Sequence, residues 1–182
     1  MNQKKIKVPP KIGWYLAGFA DGEGSFNVSI RPRKDYRNKW KISLSFSVSQ
    51  KEKVILTLFK RYLGCGTLRQ REDGVWYFEV TNINALSEKV IPFFNKFKFL
   101  SQRKKKAFSK FKKILKLMKE RKHLTKEGIK EIAELREEIN QDNSKRRYNK
   151  EDIISSLEES SETIRQASLK RDDDIVLSLI HI

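Results

Sequence analysis

Within thirteen consecutive positions, Gly13-Trp14-Tyr15-Leu16-Ala17-Gly18-Phe19-Ala20-Asp21-Gly22-Glu23-Gly24-Ser25, the chain sets down an apolar helix, a run of small residues, a glycine-bracketed acid and the start of a strand. Pro9 and Pro10 come just before, and Ile12, Tyr15, Leu16 and Phe19 recur at helical spacing. Proline at the start and an apolar stripe after it predict a helix with one buried face, ended by Gly22 and Gly24. Glu23 then stands at the negative pole of that helix, where a carboxylate is disfavoured by roughly 0.3–1 kcal/mol. A positive partner is expected there. A divalent cation such as Mg²⁺ suits the position, because it is held by one or two carboxylates together with substrate phosphates and keeps waters that can act as nucleophiles. Ala17 and Gly18, with Gly22 one turn beyond, leave a bare helix surface that a second helix backbone can approach closely, as small residues do between membrane helices.

Charge says what such a site would meet. The chain has 182 residues and a formal net charge of +17, which points to a polyanion, with nucleic acid ahead of a membrane surface. No signal-peptide apolar region and no run long enough to span a bilayer occurs, so a soluble, intracellular protein with no membrane partner is expected. A single cysteine, Cys65, excludes an internal disulfide framework and a Cys-cluster zinc site. In Leu63-Gly64-Cys65-Gly66-Thr67 it reads as a small core residue at a turn. His123 and His181 are the only histidines, too few parts for a histidine-based nuclease or a Ser-His-Asp hydrolase. The absence of a G-x-x-x-x-G-K-[ST] loop argues against an NTPase.

After the helix, Phe26, Val28 and Ile30 alternate with Asn27, Ser29 and Arg31, and Arg33 continues the polar set. That is the period of a half-buried strand. Asp35-Tyr36-Arg37-Asn38 reads as a turn, and a second strand places Ile42, Leu44, Phe46 and Val48 inward and Lys41, Ser43, Ser45 and Ser47 outward. Glu52 to Leu63 reads as an amphipathic helix carrying Ile55, Phe59 and Tyr62 on its apolar side. A second hairpin follows around Asp73-Gly74, with Leu68, Trp76, Phe78 and Val80 inward and Thr67, Arg69, Arg71, Tyr77 and Glu79 outward. Two ribbons with arginine, serine and asparagine on one face fit the major groove of a DNA duplex, where arginine reads guanine and serine or asparagine reads several base edges. Asn84 to Phe97 reads as a short helix interrupted or ended at Pro92. Ser101 opens another, with Phe108, Phe111, Leu115 and Met118 in one stripe and a basic opposite side that either binds phosphate or is a solvated face.

Leu16-Ala17-Gly18-Phe19-Ala20-Asp21-Gly22-Glu23-Gly24 closely resembles the signature of the LAGLIDADG homing endonucleases. The order helix, two strands, helix, two strands, helices is that family's αββαββα plan. The resemblance, which covers roughly residues 12–157, implies an α+β fold with a saddle-shaped antiparallel DNA-binding sheet and C-terminal helices. It implies Glu23 as the metal-binding acid for Mg²⁺ or Mn²⁺, with Asp21 and Gly22 beside it at the metal, and Gln50 as the residue positioning water and metal ligands. It puts the basic residue near the scissile phosphate at Arg103, or at Lys104 if the register slips by one. Arginine at that place departs from the family's usual lysine but still suits a phosphate clamp.

Residues 1–11 read as a basic, proline-ended lead. Beyond the long basic helix, Thr125 caps another, with Ile129, Ile132, Leu135 and Ile139 on one side. Lys145, Arg146 and Arg147 lie in a basic loop before a helix capped at Asn149, and this loop resembles the C-terminal loop with which single-motif members touch the DNA backbone. Residues 158–182 form a charged tail. Its last six, Leu177-Ser178-Leu179-Ile180-His181-Ile182, resemble the translation of a transposon end used as a sequencing adapter, and the natural frame is expected to run on beyond Val176.

The reading is a site-specific, intron- or intein-associated endonuclease hydrolysing double-stranded DNA at a long pseudo-palindromic target. One acidic signature per chain and two strands to cut imply a homodimer packed through Ala17, Gly18 and Gly22. A bacterial or archaeal cytoplasm or an organelle matrix is the expected location. Two other readings stand on the same fold: an intron-encoded RNA maturase and a non-cutting DNA-binding regulator.

Overall fold

Pro10 takes the first turn of α1 (Pro10–Glu23), where its missing N–H leaves no bond unmade. The computed structural model describes residues 8–36, 38–139 and 147–158. Gly13, Leu16, Ala17 and Ala20 of α1 are buried at helical spacing. The inward face is therefore rotated from the expected one, because Trp14 and Tyr15 stand 51% and 52% exposed. Gly22 does not end the helix. Gly24 does, with extended backbone and its N–H on the Ala20 carbonyl.

From Gly24 the chain runs straight into β1 (Gly24–Pro32), which pairs along its whole length with β2 (Trp40–Gln50), from Gly24 opposite Val48 to Pro32 opposite Trp40. Helix α2 (Lys53–Leu63) stops at Gly64 in the left-handed region, where glycine has no Cβ to clash. The hairpin of β3 (Thr67–Gln70) and β4 (Trp76–Val80) turns through Gly74, also at positive φ. Strand order in the antiparallel sheet is β1-β2-β4-β3. Because β4 pairs only with Phe46 to Gln50, the Trp40 to Ser45 half of β2 has β1 alone as its ladder partner.

Apolar residues of alternate strand positions face one side and are covered there by helices. Phe26 meets Phe94, Phe99, Phe108 and Phe111 at ring separations of 5.0–5.8 Å, and Phe46 meets Phe59 and Phe94. Each such ring contributes about 1.5–3 kcal/mol when fully withdrawn from water. The phenylalanines from 93 to 111 come from two further helices and the segment that joins them. Helix α3 (Ile83–Ala85) widens into a π turn (Leu86–Val90) and continues as α4 (Ile91–Lys96). Pro92 supplies the reason, since it has no N–H for the carbonyl four residues back and its ring crowds the preceding turn. Helix α5 (Gln102–Lys119) is capped by Ser101, whose oxygen accepts the Lys104 N–H, and buries Phe108, Phe111, Leu115 and Met118 as expected.

A 3-10 turn (Lys122–Leu124) leads to α6 (Lys126–Ile139), capped by Thr125, which accepts the Gly128 N–H at 3.1 Å. Helix α7 (residues 150–158) starts at a reciprocal cap in which Asn149 and Asp152 each accept the other's backbone N–H, at 2.7 and 2.9 Å. The element order is the αββαββα plan with helices added at the C-terminal end.

Candidate functional site

The period of two that buries Phe26, Val28, Ile30, Ile42, Leu44, Phe46 and Val48 sends the other residues of β1 and β2 to the face without helices. Asn27 lies opposite Ser45, Ser29 opposite Ser43 and Arg31 opposite Lys41. On the other side of β2, Ser47 lies opposite Glu79, and Arg69 of β3 lies opposite Tyr77. Arg31 Nε donates to Ser29 Oγ at 2.9 Å. Glu79 accepts from Arg69 and from the Tyr77 hydroxyl, each at 3.3 Å, and the Arg69 guanidinium sits 5.3 Å from the Tyr77 ring centre. A hollow of about 360 Å³ beside β2 is bordered by Asn27, Ser29, Arg31, Ser43, Ser45, Glu79 and Thr81 together with the apolar Ile42, Leu44, Ile83 and Met118.

Three expectations about the face need correction. Ser45 and Ser47 are only 7% exposed; Ser47 lies between β1 and β4, opposite Ser25 and Glu79, and Ser45 lies opposite Asn27 one position before the β4 pairing begins. Arg33 lies beyond the end of β1, in the turn, where its guanidinium makes two 2.8 Å bonds to Asp35 and, by that bonding, holds the Asp35 carboxyl down at about 2. Arg71 lies beyond β3, 3.2 Å from Asp73. Thr67 stays exposed at the start of β3. Lys145 and Arg146 fall outside the described residues, as do the tail from 159 and the start of the lead; Arg147 is exposed and lies over the Tyr148 ring.

At the root of β1 the acidic helix end meets the start of α5. Glu23 is exposed, and its carboxylate forms no hydrogen bond among the described residues. Asp21 has a different place from the one expected. Its Oδ2 accepts the Leu100 and Ser101 N–H groups, each at 2.9 Å, and its Oδ1 accepts the Ser101 hydroxyl. Burial pushes this carboxyl up, but the bonds from Ser101 and Leu100 and the nearby charge of Lys104 outweigh it and keep it below its ordinary value. With both oxygens bound, Asp21 ties the end of α1 to the start of α5 and is not a free metal ligand. Gly22 can offer only its carbonyl, in a last turn where helix carbonyls lose their intrahelical partners.

Lys104 is half-buried, and its ammonium donates to the Gly24 carbonyl. Burial holds it below the ordinary lysine range; Asp21 opposes this, Arg103 adds to it and Glu23 opposes it. Of the two basic residues proposed by resemblance, Lys104 is thus the one turned toward the acids, and Arg103 is exposed beside it. Gln50 closes β2, with its side-chain oxygen on the Lys51 N–H at 2.8 Å.

On α1, Ala17 is 1% exposed and turned into the chain's own core, so it offers nothing to a second helix. Gly18 and Gly22 are exposed, and a Cβ added to either would meet nothing within 4 Å. Trp14 and Tyr15, which sequence reasoning left out, accompany them. The lysines of α5 lie in the helical layer: Lys112 packs over Phe108 and reaches Asn95, and Lys110 pairs with Glu138 at 2.6 Å.

An antiparallel sheet with one polar, basic face, joined at its root to a carboxylate and a half-buried lysine, has the make-up of a nucleic-acid-processing domain. The LAGLIDADG endonuclease family model matches residues 16–115, more than half of the chain, and the chain belongs to that family. It is 34% identical over 130 residues to the probable intron-encoded endonuclease 2 of Neurospora crassa, covering 69% of this chain and 28% of that protein. It is 39% identical over 88 residues to the DNA endonuclease I-CvuI of Chlorella vulgaris, covering 46% of this chain and 54% of that one. The chain thus spans about a quarter and about half of these two relatives. The archaeal intron-encoded homing endonuclease I-Vdi141I, solved in complex with DNA, superposes with a TM-score of 0.73 at 29% identity, over 82% of this chain and 95% of that one. Among the described residues no helix is long and apolar enough to cross a membrane.

Proposed function

We propose that this protein is a site-specific homing endonuclease, intron- or intein-associated, that acts as a homodimer and hydrolyses both strands of a long pseudo-palindromic DNA duplex. The observation that carries this reading is the placement of the Lys104 ammonium on the carbonyl of Gly24, the residue next to Glu23, at the root of a basic, polar sheet face. Relatives named as endonucleases of introns support it. The work then takes place wherever the host genome lies, in a bacterial or archaeal cytoplasm or an organelle matrix.

A divalent ion suits Glu23, a solvent-facing carboxylate at a helix C-terminus that no side chain among the described residues bonds. Among the described residues no three acidic, histidine or cysteine side chains cluster, so one copy offers a sparse site, completed by phosphate oxygens and the acid of a second copy. Held by Glu23 and the Gly22 carbonyl, Mg²⁺ or Mn²⁺ would supply a polarised water and charge neutralisation at the leaving 3′ oxygen. The chain's own groups do the rest. Lys104, fixed on the Gly24 carbonyl, sets a positive charge beside the acid where the scissile phosphate arrives, and Arg103 at the same helix start adds a planar, bidentate donor. Gln50, its oxygen occupied by Lys51, turns its amide NH₂ to water at the site.

From Gly24 to Pro32 the strand runs roughly 26 Å at about 3.3 Å per residue. That length matches about eight base pairs at ~3.4 Å each. One copy would read such a half-site through Asn27, Ser29, Arg31, Lys41, Ser43, Thr67, Arg69, Tyr77 and Glu79. A second copy, packed against it through the open α1 side of Trp14, Tyr15, Gly18 and Gly22, would read the other half with the same sheet face.

Glu23→Gln tests the reading. It keeps the shape and removes one negative charge near phosphate, so selective binding to a duplex selected from a randomised library should persist while cleavage in Mg²⁺ falls by orders of magnitude. Cutting at the wild-type rate would overturn the assignment of Glu23. Tight binding of its own intron RNA with no duplex cleavage by the wild type would favour a maturase instead.

A further inference from the structure

From Val28 to Pro32 and from Trp40 to Leu44 the β1–β2 hairpin is a two-stranded ribbon, because β4 does not reach it. Two strands alone are marginally stable in water. The missing support comes from the C-terminal half of the chain. Asn38, in the turn between the strands, donates its amide N–H to the Leu124 carbonyl at 2.6 Å. Trp40 Nε1 donates to Ser156 Oγ at 2.8 Å, and Ser156 gives its own proton to the Ile153 carbonyl at 3.0 Å, which fixes its oxygen as the acceptor. The Trp40 ring also meets Tyr148 edge-on at 5.4 Å, and the Tyr148 carbonyl receives the buried Arg136 guanidinium at 2.8 Å. Ile153 and Leu157 are fully buried in the core, so α7 is anchored by its apolar face as well as by the Ser156 bond.

Trp40 belongs to the inward-facing set of β2, with Ile42 and Leu44, so a duplex on the outer face touches neither it nor Ser156. We infer that Trp40, Ser156 and Asn38 are positioning residues: α7 and the α5–α6 turn hold the distal ribbon at a fixed tilt and thereby set base preference at the outer base pairs of each half-site. This rests on the DNA-cleaving reading above. The lever is long enough to matter. Arg31 lies five residues past the last β1 position backed by β4, or about 17 Å. A tilt of roughly 10° at the root moves it by about 3 Å, close to one base-pair step of ~3.4 Å.

Three variants test this: Trp40→Phe keeps the ring and removes the donor, Ser156→Ala removes the acceptor and Ser156→Thr restores it. Amide hydrogen exchange on the free protein should quicken at least fivefold at residues 28–31 and 40–44 in the first two variants, with residues 24–27 unchanged. Selection from a randomised duplex library should then give broadened outer positions, unchanged central positions and a cleavage rate on the best target within about twofold of wild type. Ser156→Thr should return both readouts to wild type. Unchanged exchange overturns the brace, and faster exchange with an unchanged outer preference overturns its role in specificity. A wild type that selects no duplex would instead bring down the endonuclease reading, while the exchange measurement still decides whether the brace exists.

Discussion

Asp21→Asn separates a structural acid from a catalytic one. In the fold Asp21 Oδ2 takes two backbone N–H groups and Oδ1 takes a hydroxyl, all at the start of α5. Asparagine can keep its carbonyl on the Leu100 and Ser101 N–H groups and turn its NH₂ to Ser101 Oγ. What it loses is the charge. Hydrogen bonds to a charged group contribute about 1.5–3 kcal/mol against about 0.5–1.5 for neutral ones, so two or three weakened bonds, partly exposed to water, amount to about 2 kcal/mol. At 2–4 °C per kcal/mol for a domain of this size, the melting temperature should fall by roughly 4–8 °C. pH supplies the sign. Asp21 titrates below its ordinary value of 3.8 in the fold, so its contribution is fully present above that value and is lost as pH falls through the lower folded value. Calorimetric melts of both proteins should therefore show a constant gap from pH 8 to about 5 that closes in acid below 3.8. A variant that melts with the wild type at neutral pH, yet no longer cuts DNA in Mg²⁺, would refute the argument and return Asp21 to the metal.

Other outcomes follow from single contacts. A methyl added at Gly13 would fall inside the Phe97 ring, so Gly13→Ala should destabilise by about 1–3 kcal/mol of overpacking, less part of the ~1 kcal/mol that alanine gains in a helix, and Phe97→Leu in the same chain should relieve it in thermal melts. Arg31→Ala should relax one outer position of the selected site and cost about 1–3 kcal/mol in affinity; an unchanged site preference would remove Arg31 from the reading face. If the exposed side of α1 is the seam between two copies, Trp14→Glu with Tyr15→Glu should give a monomeric mass by light scattering, with the wild type at twice that mass.

Period-two alternation made the strands readable, because turning a strand over would expose Phe26 and Phe46 together. The caps at Ser101, Thr125 and Asn149 and the glycine turns at Gly64 and Gly74 were readable for a local reason: each is satisfied within a few residues. Contacts made across the fold were not. Asp21 looked like a metal ligand because its partners, Leu100 and Ser101, are about eighty positions away, although the capping serine at 101 was itself visible. Lys104 could not be chosen over Arg103 until the helix phase of α5 was known. The burial of Ser47 depends on β2 lying between β1 and β4 there, and strand order leaves no trace in a strand's own residues. Ala17 turned inward for a similar reason, since a stripe of small residues fits a core as readily as a seam.

The uneven exposure along β2 sets limits on redesigning the protein for other targets. Asn27, Ser29, Arg31, Lys41 and Ser43 support little of the core, so side chains of many sizes can be exchanged there at a cost usually within about 0.5 kcal/mol. Ser45 and Ser47 are sunken, the second with a strand paired on each side, and a longer side chain at either must displace a neighbour before it can extend outward. On the proposed reading, libraries aimed at new outer base pairs can therefore vary the ribbon freely, whereas those aimed at inner ones should keep both serines small and diversify Arg69, Tyr77 and Glu79 as one linked set.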